Sequence, residues 1–156
     1  MRKLTKLVCL LILLVASAQA EPAKAAIERT LDDFHQAAAQ ADGPRYFGHF
    51  TQDAVFLGTD LSERWSLAEF QAYAQPHFAQ GRGWTYRPLT RYVYLSEDGR
   101  TAWFDETLKN DKYGITRGSG VLVAEGGRWK LAQYHLTLPV PNELMDDLVK
   151  MIESRP

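Results

Sequence analysis

Between Thr85 and Leu138 the chain breaks into four runs rich in β-branched and aromatic residues: Thr85 to Leu95, Thr101 to Asn110, Ile115 to Glu125 and Arg128 to Leu138. The separators are short: Glu97-Asp98-Gly99, Asp111-Lys112-Tyr113-Gly114 and Gly126-Gly127. Antiparallel strands can be joined by so few residues, whereas parallel neighbours need a crossover of about a dozen or more. Four long strands in an antiparallel meander are therefore predicted, and such a sheet needs a second layer to cover one face.

The residues before the meander supply that layer. Pro22 suits a first helical turn, and Ile27, Leu31, Phe34 and Ala38 share one face of a helix that ends at Ala41-Asp42-Gly43-Pro44. A short second helix is predicted over Arg45 to Phe50, where Tyr46, Phe47 and Phe50 sit one turn apart, followed by a strand at Ala54-Val55-Phe56-Leu57. Ser66 and Glu69 form a capping box for a third helix with an apolar stripe at Leu67, Phe70, Tyr73, Ala74 and Phe78; Pro76 should kink it or end it early. Beyond the meander, Pro139 and Pro141 stop the last strand. Asn142 is positioned to cap a terminal helix with Glu143, Asp146 and Asp147 in its first turns and Lys150 near its end. Leu144, Leu148, Met151 and Ile152 give that helix an apolar side, suited to packing on the domain or on a second copy.

The N-terminus has a different character. Arg2, Lys3 and Lys6 precede ten apolar residues, Leu7 to Ala16, and Ala18-Gln19-Ala20 stands before Glu21-Pro22. This is the pattern of a cleavable signal peptide over residues 1–20, leaving 21–156 as a single domain in the periplasm or outside the cell. A membrane-spanning helix needs roughly 20 apolar residues, about twice this run. Cleavage removes Cys9, the one cysteine, and with it disulfides, thiolate nucleophiles and cysteine metal sites. It also removes three of the eighteen cations and none of the nineteen acids, so the mature net charge is −4. That balance argues against nucleic acid and anionic membranes as partners.

Helices followed by a strongly curved antiparallel meander resemble the cone-shaped α+β fold of the nuclear transport factor 2 superfamily, and more closely its SnoaL-like branch. The resemblance rests on Leu31-Asp32-Asp33-Phe34-His35, on Phe50-Thr51-Gln52-Asp53-Ala54-Val55-Phe56, and on Gly127-Arg128-Trp129-Lys130-Leu131 followed by His135. It covers nearly all of residues 21–156. It implies helices packed on a curved sheet that encloses a pocket, and dimers are common among such proteins. Members include isomerases, dehydratases, polyketide cyclases and pure binding or assembly modules, so fold alone does not fix function. No complete catalytic set from the enzymes of this superfamily aligns onto the chain.

Within that implied cone, strand alternation sets Trp129, Leu131, Gln133 and His135 on one face and points His135 toward the pocket, either as a general base or as a hydrogen-bonded core residue. The run Trp103-Phe104-Asp105-Glu106 offers two acids of opposite parity: Asp105 faces inward if Trp103 does, Glu106 if Phe104 does. A carboxylate there would carry a raised pKa or need a cation, and Arg117 is one hairpin away. Closing the last hairpin on Gly126-Gly127 turns Arg117 outward unless a bulge near Gly118 or Gly120 reverses it. Phe34, Phe56, Trp65, Phe70, Tyr73, Phe78, Trp84, Tyr86, Trp103 and Tyr134 are the aromatic candidates to line or close the pocket, with Arg117, Trp129 and Gln133 beside them, and ordinary core is the plainer expectation for most of these rings. His35 and His77 could reach the mouth, with surface or capping roles as the plainer expectation.

No histidine pair has metal-ligand spacing, and Gly118-Ser119-Gly120 lies inside a strand rather than before a helix. Neither a metal nor a cofactor is implied. Three roles fit these residues: an exported protein that binds a small, largely apolar molecule; a cofactor-independent isomerase, cyclase or dehydratase using His135 with Asp105 or Glu106; and a homodimeric assembly module.

Overall fold

The computed structural model describes residues 22–155, so the signal peptide expected at 1–20 lies outside the described residues. The first helix, α1, spans residues 22–39. Its apolar face, Ile27, Leu31, Phe34 and Ala38, is buried, which at about 1.5–3 kcal/mol for each large side chain fixes the helix on the sheet. Ala41 takes a left-handed φ of 54° and turns the chain into α2, Gly43–Gly48, where the Asp42 side chain accepts from the Arg45 N–H at 3.2 Å. Asp33 ties the two helices together, accepting from the Arg45 guanidinium and from His49 at 2.8 Å.

The second helix ends before Phe50, which instead begins strand β1, Phe50–Leu57. The reason is a long-range partner. Phe50 aligns with Leu131, whose N–H donates to the His49 carbonyl at 2.8 Å, so its backbone is committed to the sheet. A three-residue strand, β2 at Arg64–Ser66, follows, and was not foreseen. The capping box at Ser66 and Glu69 then opens α3, Leu67–Phe78, with Pro76 in its last turn. The meander comprises β3 (Arg87–Leu95), β4 (Thr101–Asn110), β5 (Gly114–Glu125) and β6 (Arg128–Thr137).

The six strands form one curved, unclosed sheet in the order β2-β1-β6-β5-β4-β3. All neighbours are antiparallel except β1 and β6, which run parallel. Ala102, Phe104, Leu108, Leu122 and Leu131 face inward against the helices. The fold is thus α+β, helices packed on a curved sheet. The chain ends in a 3-10 turn, Asn142–Leu144, and helix α4, Met145–Glu153; Asn142 makes no cap, and α4 buries none of its residues.

Two side-chain directions left open by the sequence are resolved, and one expectation is overturned. Phe104 and Glu106 are the inward pair on β4; Trp103 is 47 % exposed and Asp105 shares its outer face. Arg117 is exposed on the outer face of β5, with no bulge in that strand at Gly118 or Gly120 to reverse it. The bulge lies in β6, where Val121 aligns with Gln133 but Leu122 with Leu131, leaving Ala132 as the extra residue. An extra residue resets the alternation. Leu131 and Tyr134 are therefore both inward, while Gln133 is exposed and His135 lies on the outer face, 3.3 Å from the Thr137 hydroxyl.

Candidate ligand cavity and its buried polar end

Between the helices and the inner face of the sheet is a cavity of about 470 Å³. Phe34, Phe56, Trp65, Tyr73 and Trp84 line it, together with His35, Phe70, Tyr86, Tyr113 and Tyr134. Trp103, Arg117, Gln133 and His135 do not; Trp129 packs against the core cluster instead. Exposure gives the cavity a direction. Phe34, His35 and Tyr134 are almost wholly buried, whereas Tyr73 and Tyr113 are about half exposed, so the former stand at the inner end and the latter at the mouth. One wall is a set of near-parallel rings: Phe56 and Phe70 lie 3.9 Å apart at 18°, Trp65 and Phe70 are at 9°, and Trp65 and Tyr73 at 25°.

Behind the inner end sits a charged group. Glu106 is 1 % exposed, a burial that would cost several kcal/mol for an unpaired carboxylate. Its oxygens are engaged. Oε1 accepts from His35 Nε2 at 2.7 Å and from the Tyr134 hydroxyl at 3.2 Å, and Oε2 accepts from Arg91 Nε at 2.8 Å. Arg91 also donates through Nη1 to Asp32 at 2.8 Å and to the Glu28 carbonyl at 3.2 Å, clamping β3 to α1. Burial pushes the Glu106 pKa up, but the hydrogen bond and charge of His35 and the Arg91 guanidinium outweigh it, so the value lies below the ordinary glutamate range. Burial, then the neighbouring Glu106 charge, drives the Tyr134 phenol far upward, so it stays a neutral donor.

Gly118 makes room for this group, and Gly120 for the neighbouring strand and the Phe104 ring. A Cβ on Gly118 would overlap the Tyr134 hydroxyl and crowd Glu106 Oε1; one on Gly120 would overlap the Gln133 carbonyl and press on the Phe104 ring. His35 lines the cavity while its Nε2 is taken up by the Glu106 carboxylate.

His35 was foreseen only as a residue that could reach the mouth, and is instead buried at the inner end. Arg91 was missed, although the signal existed. Closing the first hairpin on Ser96 and Thr101, as the last was closed on its glycines, aligns Arg91 with Glu106, the observed register. Tyr134 stood among the aromatics, but its inward direction depends on the Ala132 bulge.

Residues 27–141 match the family model of the SnoaL-like domain, and the chain belongs to that family. Among solved structures it is similar to a protein of unknown function with the nuclear transport factor 2-like fold from Pseudomonas putida KT2440: 15 % identity, 79 % of this chain and 91 % of that one covered, TM-score 0.67. It is similar also to a provisionally assigned scytalone dehydratase from Novosphingobium aromaticivorans, at 13 % identity, 80 % and 89 % coverage and TM-score 0.66. A provisionally assigned ketosteroid isomerase from Shewanella frigidimarina gives 17 %, 70 % and 92 %, and 0.56. Likeness at such identities establishes the fold alone. Curated protein sequences give no match.

Proposed function

We propose that the domain is an exported binder of a small, largely apolar molecule held in the aromatic cavity, with His35 as its polar anchor. The observation that carries this reading is an aromatic cavity with His35 at its inner end, held from behind by the buried carboxylate of Glu106. A volume of about 470 Å³ suits a small ligand. The leader-like residues 1–20 support export to the periplasm or beyond. Native mass spectrometry of the protein from the periplasm of an expression host, followed by a thermal-shift screen of apolar compounds, tests the reading. A retained molecule, or a melting temperature raised by compounds that Phe56→Ala no longer binds, supports it. No retained molecule and no shift across the screen contradict it.

A second reading is favoured by one feature, the His35 Nε2 bond to an ionised carboxylate. In a neutral imidazole so held, Nδ1 carries the lone pair, the arrangement of a positioned general base. The isomerase and dehydratase names carried by two of the similar structures fit proton-transfer chemistry of this kind. The acid would then be Glu106, one of the two candidates, and the histidine His35 in place of His135. Turnover that survives in His35→Gln contradicts it.

Homodimer formation is the third proposal. Tyr92, Tyr94 and Trp103 form an exposed aromatic patch on the outer face of the sheet, with Tyr94 and Trp103 stacked at 13°, and α4 leaves an apolar side uncovered. Analytical ultracentrifugation of Trp103→Glu tests it: dissociation is expected, and an unchanged mass counts against that face as the interface.

A further inference from the structure

The mouth of the cavity differs in chemistry from its interior. Four aromatic residues stand there, Trp65, Tyr73, Tyr86 and Tyr113, and Glu63 lines the same space. Trp65 and Tyr73 stack at 4.8 Å. Glu63 is half-buried, and among the described residues it takes part in no ion pair. Its carboxylate is nevertheless held: Oε2 accepts from the Asp60 N–H at 3.2 Å, the Gly58 N–H donates to the Glu63 carbonyl at 2.8 Å, and only a glycine at 58 leaves space for the carboxylate over the turn.

The rim already shows which charge its rings take. Lys112 Nζ lies 4.7 Å from the centroid of the Tyr113 ring, within the range of a cation–π contact. Anions find little there. Arg87 is committed to Asp111 through two bonds of 3.0 and 2.9 Å, and Lys112 rises from an exposed turn. Tyr86 stands close to the same groups: burial first, then Tyr113, Glu63 and Tyr73, push its phenol up to about 12. Burial opposes either charge, so of these causes the Glu63 carboxylate is the one that would favour a cation.

We propose that the mouth recognises an organic cation, an alkylated or quaternary ammonium group borne on the apolar body that fills the interior. The inference rests on the cavity's being a binding site. Glu63 supplies the charge, and Trp65, Tyr73, Tyr86 and Tyr113 supply ring faces that accept a weakly hydrated ammonium better than water releases it. Lys112 competes for the Tyr113 face, and the ligand's cation displaces it into solvent.

The test compares two probes of one shape, phenyltrimethylammonium and its neutral carbon analogue tert-butylbenzene, by tryptophan fluorescence titration of the full chain after purification. The cation is expected to bind at least about tenfold more tightly. Glu63→Gln should weaken the cation about tenfold and leave tert-butylbenzene unchanged, while Lys112→Gln should strengthen the cation a few-fold. Equal affinity for the two probes, or a Glu63→Gln effect shared by both, overturns the cation site and leaves the cavity a binding site. Binding of neither probe overturns the inference, and the cavity reading falls with it only if the thermal-shift screen is also empty.

Discussion

The two faces of β4, one residue out of step, carry the same kinds of side chain to opposite ends. On the inner face Glu106 is sealed among Arg91, His35 and Tyr134; on the outer face its neighbour Asp105 lies beside exposed Tyr92 and Trp103. A histidine shows the same division: His35 is 7 % exposed and bound to the buried carboxylate, whereas among the described residues the side chain of His135 hydrogen-bonds only the nearby Thr137 hydroxyl. What separates the faces is desolvation, since a carboxylate or imidazole away from water has a strong, directional influence that solvent otherwise screens.

Breaking the inner cluster should give the largest effect. Arg91→Met leaves Glu106 buried without its cation and should cost about 3–5 kcal/mol in denaturant unfolding, with the double variant Arg91→Met/Glu106→Gln well short of the sum of the single changes. Additive costs would show that the pair does not act as a unit. Gly118→Ala, which pushes a methyl group toward the Tyr134 hydroxyl, is expected to cost roughly 1–3 kcal/mol and to weaken ligand binding in the thermal-shift screen. Wild-type stability and binding in that variant would mean the close approach is not needed.

Acid should erode the same cluster. The Glu106 pKa is lower in the folded state than the unfolded value near 4.5, so its contribution is complete above about pH 4.5 and is lost as pH falls through the folded value. His49 adds a slope of the same sign. Burial depresses its folded pKa below the ordinary 6.5, so protonation of the unfolded chain weakens the fold as pH drops below that value. Unfolding free energies measured from pH 7 to 3 should decline accordingly, with the acid limb flattened in Glu106→Gln; an identical limb there would assign the loss to other carboxylates. The smallest effects belong to the outer face. Asp105→Asn and His135→Ala should each change stability by no more than about 0.5 kcal/mol and leave ligand binding intact. A large loss from either would erase the contrast between the faces.

The elements set by local chemistry were legible in the sequence. The stripe on α1, the Ser66–Glu69 capping box and the Gly126-Gly127 hairpin all follow from spacing within a few residues. Features that depend on distant partners were not. The start of β1 at Phe50 is fixed by its parallel pairing with β6, some eighty positions away in sequence, and β2 is too short to carry a pattern. The Ala132 bulge has no glycine to mark it. Its one trace is Leu131 and Tyr134, two large inward-facing residues three apart in a strand, a spacing that regular alternation forbids. Because the bulge lies between Trp129 and His135, it turns away from the cavity a histidine that an unbroken alternation points into it.

The contact on which the site depends is the His35–Glu106 hydrogen bond, and imidazole nitrogen resonances in a long-range 1H–15N NMR spectrum of the labelled protein test it directly, with His35→Gln and His135→Gln to assign them. A downfield, slowly exchanging imidazole N–H, distinct from that of His49 on Asp33, is expected to disappear in His35→Gln and Glu106→Gln and to persist in His135→Gln. Persistence of that particular resonance on loss of His35, or its disappearance with His135, would contradict the contact.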